Sequence, residues 1–307
     1  MSPGDPPTKD HGHLDDLVTE GRPSPPKDYE SLSTVELVEL MNREDAAVPA
    51  AVGATARELA DLVDAVVTKL RGGGRLIYVG AGTSGALAAV DAGECESTFS
   101  TEPGQVLALV AGAGFGPGPA RDAAEDDARA GTDGVRSIEV SAGDAVIGIS
   151  ASGRTPYVIG ALETAADTAA LTACVVSVPN SELGRICEHE LAVVVGPEFV
   201  AGSTRLKAGT AQKLVLNTIS TLSMIRLGKT YGDLMVDVAA TNEKLRARAR
   251  RAVQLATSAS ADEVDRALAA ADGSAKVAIV SLLAGIGPDS AIERLERSGG
   301  NVREALR

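Results

Sequence analysis

The pattern of apolar and polar positions predicts an alternation of helices and short strands. Ser33 followed by Glu36 has the form of a capping box, which predicts the start of a helix. Apolar residues at helical spacing predict a second helix over residues 48–70, and the glycines at 72–74 end it. Five short apolar runs follow, each separated by a helical pattern, near residues 75–79, 106–110, 145–150, 173–178 and 191–195.

Continuous apolar strands that alternate with helices are typical of a parallel sheet covered on both faces. We therefore predict an α/β fold: a five-stranded parallel sheet with a helical N-terminal lead-in and a small all-helical C-terminal domain. Helices are expected around 120–130, 155–168 and 206–226, and the final domain has helical patterns at 244–257, 262–271, 276–283 and 290–297. The expected divisions are a disordered tail at 1–27, an α/β domain with its lead-in at 28–245 and a helical domain at 246–307.

Composition then narrows the possible functions. A formal net charge of −13 disfavours binding to nucleic acid or to an anionic membrane. The apolar runs fall well short of the ~20 residues that span a membrane, and the first residues have no signal-peptide pattern. Three cysteines without metal or disulfide spacing favour a reducing cytoplasm. The histidines are few, and His11 and His13 are interpreted as solvated tail residues rather than metal ligands.

Two predicted strand-to-helix turns carry small hydroxyl residues. Thr83 and Ser84 lie in the first turn, GAGTSG, and Ser150, Ser152 and Thr155 lie in the second, ISASGRTP. Free N–H groups at a helix start, glycines and hydroxyls together can hold a phosphate without net basic charge. The alternative is that these residues only cap helices. The first turn also fits a dinucleotide-binding pattern, but the next strand does not end in an acidic residue, which disfavours that interpretation.

The blocks of sequence around these turns resemble those of the N-acetylmuramic acid 6-phosphate etherases, a family with the phosphosugar-binding sugar isomerase (SIS) fold. The matching blocks include TEGRP, GGGRLIYVGAGTSG, DAGEC, AAED, ISASGRTPYVIGALE, GSTRLKAGTAQKLVLN and YGDLMVDVAATNEKL. The C-terminal helices also look similar to the family's ubiquitin-associated-like domain. The resemblance implies a cytoplasmic, homodimeric lyase without metal or cofactor. Such an enzyme converts its substrate to N-acetylglucosamine 6-phosphate and D-lactate in cell-wall recycling.

Ether cleavage of this kind requires two positioned proton-transfer groups. In the open-chain sugar, a base can remove the C2 proton, the C3 oxygen then leaves, and water adds back at C3. By resemblance, Glu94 matches the acid that protonates the departing lactate, and Glu125 matches the second catalytic glutamate, interpreted as the C2 base. From spacing alone, the favoured interpretation of both residues is a solvated surface carboxylate. Because Glu94 lies about 15 Å beyond Ser84 along one helix, we expect it to act on a sugar held by the other subunit.

Several other residues carry expectations. Lys207 opens a long helix, where a cation opposes the helix dipole, so we expect it to contact an anionic substrate group; a surface lysine is the alternative. By analogy with the family, Asn242 and Glu243 approach the sugar ring. Cys95 is expected to be a small core residue, and His189 a surface residue between strands.

The sequence departs from the family pattern beside Glu94. Ala86 stands where the family has an arginine, and Glu96 and Ser97 replace two prolines. These positions bear on which ether sugar is preferred. Two other functions stay open at this point: an aldose–ketose isomerase that uses the same C2 proton, and a non-catalytic phosphosugar-binding regulator.

Overall fold

A five-stranded parallel sheet forms the centre of the computed structural model, which describes residues 19–22, 28–114, 118–238 and 242–307. Its strands lie in the order β2-β1-β3-β4-β5, and each neighbouring pair is parallel. The predicted sheet is therefore confirmed. The strands β1 to β5 are Leu76–Gly80, Val106–Val110, Ala145–Ile149, Leu171–Val176 and His189–Ala192.

Helices precede, interleave with and follow these strands. The helices α1 to α8 are Thr34–Asp45, Val48–Ala54, Ala56–Arg71, Gly82–Phe99, Pro119–Ala123, Ala128–Ser137, Pro156–Asp167 and Lys207–Arg226. The helices α9 to α13 are Glu243–Thr257, Ala261–Ala270, Ala275–Ala284, Pro288–Arg297 and Val302–Ala305. Two short strands, β6 (Thr230–Tyr231) and β7 (Leu234–Met235), form a hairpin before α9.

Three apolar clusters hold these elements together. One face of the sheet packs against α3, α4 and α8, through residues such as Leu62, Ala88 and Leu216. The other face packs against α6 and α7, where Val158 and Leu162 are fully buried. A third cluster joins helices α9 to α13 with residues of the β6–β7 hairpin. Both faces of the sheet are therefore covered, as the continuous apolar strands predict.

The structure corrects four details of the sequence-based prediction. The helix expected over 48–70 is interrupted at Thr55, whose hydroxyl donates to the Val52 carbonyl at 2.9 Å. The helix expected around 120–130 is divided into α5, a 3-10 turn and α6, because Asp127 caps a new helix by accepting the Ala130 N–H. The hairpin β6–β7 was not predicted. His189 is the half-buried first residue of β5 rather than a surface residue between strands.

The N-terminal lead-in contacts the loop that precedes α8. Thr19 is buried, and its carbonyl accepts a hydrogen bond from the Gly202 N–H at 3.3 Å. Tyr29 stacks on Phe199, and its hydroxyl donates to the Phe199 carbonyl at 2.7 Å. Most of the expected disordered tail, including both of its histidines, lies outside the described residues.

Membrane-spanning potential was assessed over the described helices. Within those ranges, no single helix has the length and apolar character to cross a membrane. The helices Ala261–Ala270 and Ala275–Ala284 have the required length and apolar character only when they are taken together. They are bent by 117° relative to each other. Both belong to the third apolar cluster.

Candidate active site

The two hydroxyl-bearing turns lie side by side at one edge of the sheet. Strands β1 and β3 are adjacent and parallel, and Gly80 at the end of β1 pairs with Ile149 at the end of β3. Neighbouring strands are about 4.8 Å apart, so the segments that leave them begin as neighbours. The chain then enters α4 and α7, whose first turns face the same edge. The prediction that both turns belong to one sheet is confirmed.

The glycines of the first turn allow a tight passage from strand to helix. A Cβ on Gly85 would lie 2.7 Å from the Gly80 carbonyl oxygen and 2.7 Å from a Val110 methyl. Gly82 has a φ of +53°, in the left-handed region that disfavours a side chain. The glycines that resemble a dinucleotide fingerprint therefore serve the packing of α4 on the sheet.

The second turn holds its three hydroxyls in one cluster. The Ser150 and Thr155 hydroxyls are 2.8 Å apart, and those of Ser150 and Ser152 are 3.5 Å apart. Ser150 is buried, and its Oγ accepts the Gly153 N–H at 3.1 Å. Ser152 and Thr155 are half-buried. Ser150 therefore shapes the turn, and the hydroxyls of Ser152 and Thr155 are the more accessible donors for an anion.

Helix α8 packs directly on the first turn. A Cβ on Gly209 would lie 3.5 Å from the Thr83 methyl, which is ordinary van der Waals distance and shows how near α8 comes to this turn. One turn further along α8, Gln212 is buried and its Oε1 accepts a hydrogen bond from the Ser84 hydroxyl at 2.9 Å. This contact joins two residues that are 128 positions apart in the sequence.

Glu125 lies next to the first turn. Its Oε2 is 3.9 Å from the position that a Cβ on Gly82 would occupy, so the carboxylate reaches the start of α4. The residue as a whole is solvent-exposed, yet partial burial of the carboxylate is the largest cause that raises the pKa of Glu125. The charges of Asp126 and Asp122 raise it further. A carboxylate with a raised pKa is a stronger base at neutral pH.

Glu94 lies in the C-terminal half of α4, away from this turn. It follows Gly82 by twelve residues, which corresponds to about 18 Å along the helix axis. The side chain is exposed, and Val90, one turn earlier, is 60% exposed. Glu94 and Glu125 of one chain are therefore not brought together around the turns. Action of Glu94 across two subunits stays a prediction.

A buried polar network lies one turn before Glu94, and no local sequence pattern indicates it. Asp91 is buried and accepts hydrogen bonds from the Tyr78 hydroxyl at 3.1 Å, the Asn217 amide at 2.6 Å and the Ser220 hydroxyl at 3.1 Å. It thereby connects β1, α4 and α8. Cys95 is buried beside it, as predicted, and burial raises the pKa of its thiol to about 12.

Lys207 is buried, so the surface-lysine interpretation is wrong. Its Nζ lies 3.2 Å from a Glu44 carboxylate oxygen. The buried carboxylate of Glu198 accepts the backbone N–H groups of Lys207 and Ala208, both at 2.9 Å. This carboxylate offsets the unfavourable position of a cation at the start of α8. Contact between Lys207 and a substrate anion stays a prediction.

The other residues singled out from the sequence lie on the surface. Asn242 is the N-cap of α9, where its side-chain oxygen accepts the Leu245 N–H at 2.9 Å, and Glu243 begins that helix. Approach of either to the sugar stays a prediction. The residues that depart from the family pattern are all exposed on α4, namely Ala86, Glu96 and Ser97.

The geometry thus combines two turns that can bind an anion with a nearby carboxylate that can act as a base. Hydroxyls, N–H groups and helix starts from two adjacent strands can hold a phosphate, and Glu125 can accept a proton from the attached molecule. The sequence indicated the hydroxyls but not Gln212 or Asp91, because contacts between α4 and α8 have no local sequence signal.

Comparisons with known proteins agree with this fold. Residues 58–166 match the family model for the glucokinase regulatory protein N-terminal SIS domain. The fold matches a solved Listeria monocytogenes protein assigned as a sugar-phosphate isomerase, with a TM-score of 0.50 and 14% identity over 66% of this chain and 94% of that one.

Much closer relatives carry a single name. N-acetylmuramic acid 6-phosphate etherases from Rubrobacter xylanophilus and Streptomyces coelicolor are 54% and 50% identical to this chain, each over 95% of it and over 97% and 94% of their own lengths. The etherase from Mycolicibacterium smegmatis is 47% identical over 95% of this chain and 98% of its own. The chain therefore belongs to the N-acetylmuramic acid 6-phosphate etherase family.

Proposed function

We propose that this protein is a carbon–oxygen lyase that cleaves the D-lactyl ether of N-acetylmuramic acid 6-phosphate to N-acetylglucosamine 6-phosphate and D-lactate. The observation that carries the proposal is the 46–54% identity to etherases over nearly the whole chain. A fold-level likeness alone would serve an isomerase or a regulator equally well. Neither alternative is favoured, because relatives at 50–54% identity are named as etherases.

The phosphate of the sugar is proposed to bind between the two turns. Thr83 and Ser84 approach it from the start of α4, and Ser152 and Thr155 approach it from the start of α7, with Ser150 shaping the second turn. Hydroxyls and N–H groups supply the attraction locally, which suits a protein with a net charge of −13. Lys207 is proposed to add positive charge at the neighbouring start of α8.

The chemistry is proposed to begin at C2 of the open-chain sugar. Glu125 takes the C2 proton, which the C1 aldehyde makes acidic, and the electron pair forms a C2–C3 double bond as the C3–O bond breaks. The departing lactate oxygen receives a proton from Glu94. Water then adds at C3, and a proton returns to C2. The raised pKa of Glu125 suits this base role.

Glu94 is proposed to reach this sugar from a second copy of the chain in a homodimer. Two features of α4 support this: the 18 Å or so that separates Glu94 from its own turn, and the exposed small and apolar side chains around it, of which Val90 is the largest. A two-fold dimer that pairs these faces would place each Glu94 near the partner's turns.

The domain organisation and the cellular location are also proposals. The third apolar cluster supports a separate C-terminal helical domain after about residue 245. The free thiols of Cys95, Cys174 and Cys187 support a reducing cytoplasm as the location.

Lactate release from N-acetylmuramic acid 6-phosphate tests the activity. The wild-type protein is expected to release D-lactate, and Glu125→Gln is expected to lose at least about a hundredfold in rate, because the proton acceptor is removed. Asp126→Asn, which changes the next carboxylate in the same turn, serves as the matched control and keeps most of the rate above pH 7. Sugar isomerisation without lactate would indicate the isomerase, and tight binding without turnover would indicate the regulator.

Mixed dimers test the cross-subunit role of Glu94. Glu94→Gln and Glu125→Gln are each expected to be nearly inactive alone. After the two variants are mixed and allowed to exchange, half of the dimers are heterodimers, and one of their two sites has both glutamates. About a quarter of the wild-type rate should therefore return. No recovery, with heterodimers demonstrated, would show that Glu94 does not act across subunits.

A further inference from the structure

Gln212 is an unusual residue for its position. It projects from α8 among buried apolar neighbours on the same helix, such as Ala208, Ala211 and Val215, and is only 2% exposed. An apolar side chain of similar length would suit that environment without the cost of burying an amide. Its one described hydrogen bond joins Oε1 to the hydroxyl of Ser84, the residue proposed to face the substrate phosphate.

The nitrogen of this amide has no acceptor within the described part of the chain. Gln212 Nε2 is buried and is one of four side-chain atoms there in that condition. A buried donor left without a partner is costly and rare in native proteins, so its presence calls for a reason. The neighbouring Ser84 hydroxyl provides such a reason. It can donate its single hydrogen to one partner and can accept hydrogen bonds through its two lone pairs.

We propose that Gln212 is a positioning residue that controls where the Ser84 hydroxyl directs its hydrogen; this rests on the proposed phosphosugar function. In the structure, Ser84 donates to Gln212 Oε1. With phosphate bound, Ser84 donates to a phosphate oxygen instead. The amide turns over so that Nε2 donates to Ser84 Oγ, and no proton is transferred between residues. The terminal amide torsion is broad, which permits this rotation.

The proposal predicts that Gln212 acts through Ser84 on phosphate affinity. Gln212→Met keeps the length of the side chain but removes both hydrogen-bonding atoms, and should weaken phosphate binding about tenfold, with kcat changed less than about twofold. Gln212→Glu should weaken binding about a hundredfold, because a carboxylate can only accept from Ser84 and also repels phosphate. Gln212→Asn keeps the amide, but its side chain is one methylene too short to reach Ser84. This variant is used in place of Gln212→Met if Gln212→Met does not fold.

The experiment measures the dissociation constant of inorganic phosphate by calorimetry, and KM and kcat by lactate release. Both are measured for Gln212→Met, Ser84→Ala and the double variant. Ser223→Ala is the matched control, because Ser223 is also buried on α8 with an unpartnered hydroxyl, about 17 Å further along the helix. It should leave phosphate affinity unchanged.

The double variant decides the question. If Gln212 acts through Ser84, adding Gln212→Met to Ser84→Ala should weaken phosphate binding by less than about twofold more. Two independent effects that multiply to about a hundredfold would overturn the proposal, as would a Gln212→Met variant that binds phosphate like wild type. Because phosphate binding is measured without turnover, a wild-type protein that releases no lactate would refute the proposed activity alone.

Discussion

Asp91 anchors three elements at one buried point, and replacing it should destabilise the protein strongly. Its carboxylate accepts hydrogen bonds from Tyr78 on β1 and from Asn217 and Ser220 on α8. Tyr78 is fully buried, Ser220 is 3% exposed and Asn217 is half-buried. Asp91→Ala would therefore leave the Tyr78 and Asn217 donors without this acceptor, and would leave the Ser220 hydroxyl with only the more distant Asn217 carbonyl, at 3.4 Å.

The magnitude follows from these contacts. A hydrogen bond to a charged group contributes about 1.5–3 kcal/mol, and losses within one network are not fully additive. We therefore expect Asp91→Ala to lower the free energy of unfolding by about 4–6 kcal/mol. This is a large share of the roughly 5–15 kcal/mol that stabilises a typical domain. Asp91→Asn keeps the shape and one acceptor oxygen, and should cost about 1–2 kcal/mol.

Urea unfolding followed by circular dichroism measures these changes, and Asp91→Asn gives a result even if Asp91→Ala does not fold. Tyr78→Phe alone should cost about 1.5–3 kcal/mol, because it removes one hydrogen bond to the carboxylate. In the Asp91→Ala background the same change should cost nothing or stabilise, since it removes an unpaired donor. A cost of Asp91→Ala below about 1 kcal/mol would refute the interpretation of this network as an anchor.

Three further predictions follow from individual contacts. Asp126→Asn removes a charge that raises the pKa of Glu125, so the acid limb of the kcat/KM profile should move to lower pH; an unmoved limb would contradict the base assignment. Gly131→Ala would force a methyl onto a backbone carbonyl of α7 and should lower the free energy of unfolding, measured in urea, by at least about 3 kcal/mol. Gly134→Ala on the same helix meets only ordinary contacts and should cost under about 1 kcal/mol. Equal costs for the two variants would refute this explanation. Burial raises the pKa of Asp144, but hydrogen bonds from a guanidinium and backbone N–H groups outweigh it and lower the pKa. Its stabilising contribution should thus be complete above about pH 4 and be lost as the pH falls further, and Asp144→Asn should remove that dependence.

Local patterns predicted much of the fold. Continuous apolar strands indicated a parallel sheet, and the capping box at Ser33 and Glu36 marked the start of α1 correctly. The patterns failed where one polar side chain interrupts a helix, as Thr55 and Asp127 do. The hairpin β6–β7 is too short to show a strand periodicity, so it escaped prediction.

The site was predictable to the extent that it is local. Ser150 and Thr155 are close in sequence, and the strand-to-helix pattern predicted that both lie in one turn, where their hydroxyls are 2.8 Å apart. Gln212 and Glu198 were not assigned roles, because their partners are set by how α8 packs. Lys207 shows the same limit: its position at a helix start drew attention, but its burial and its pairing with Glu44 are tertiary facts.

A crystal structure of the Glu125→Gln variant with bound N-acetylmuramic acid 6-phosphate would test the central claim most directly. The account predicts the phosphate between the two turns, within hydrogen-bonding distance of the hydroxyls of Ser84, Ser152 and Thr155, with C2 of the sugar directed toward residue 125. A phosphate bound elsewhere in the protein, with both turns free of ligand, would contradict it.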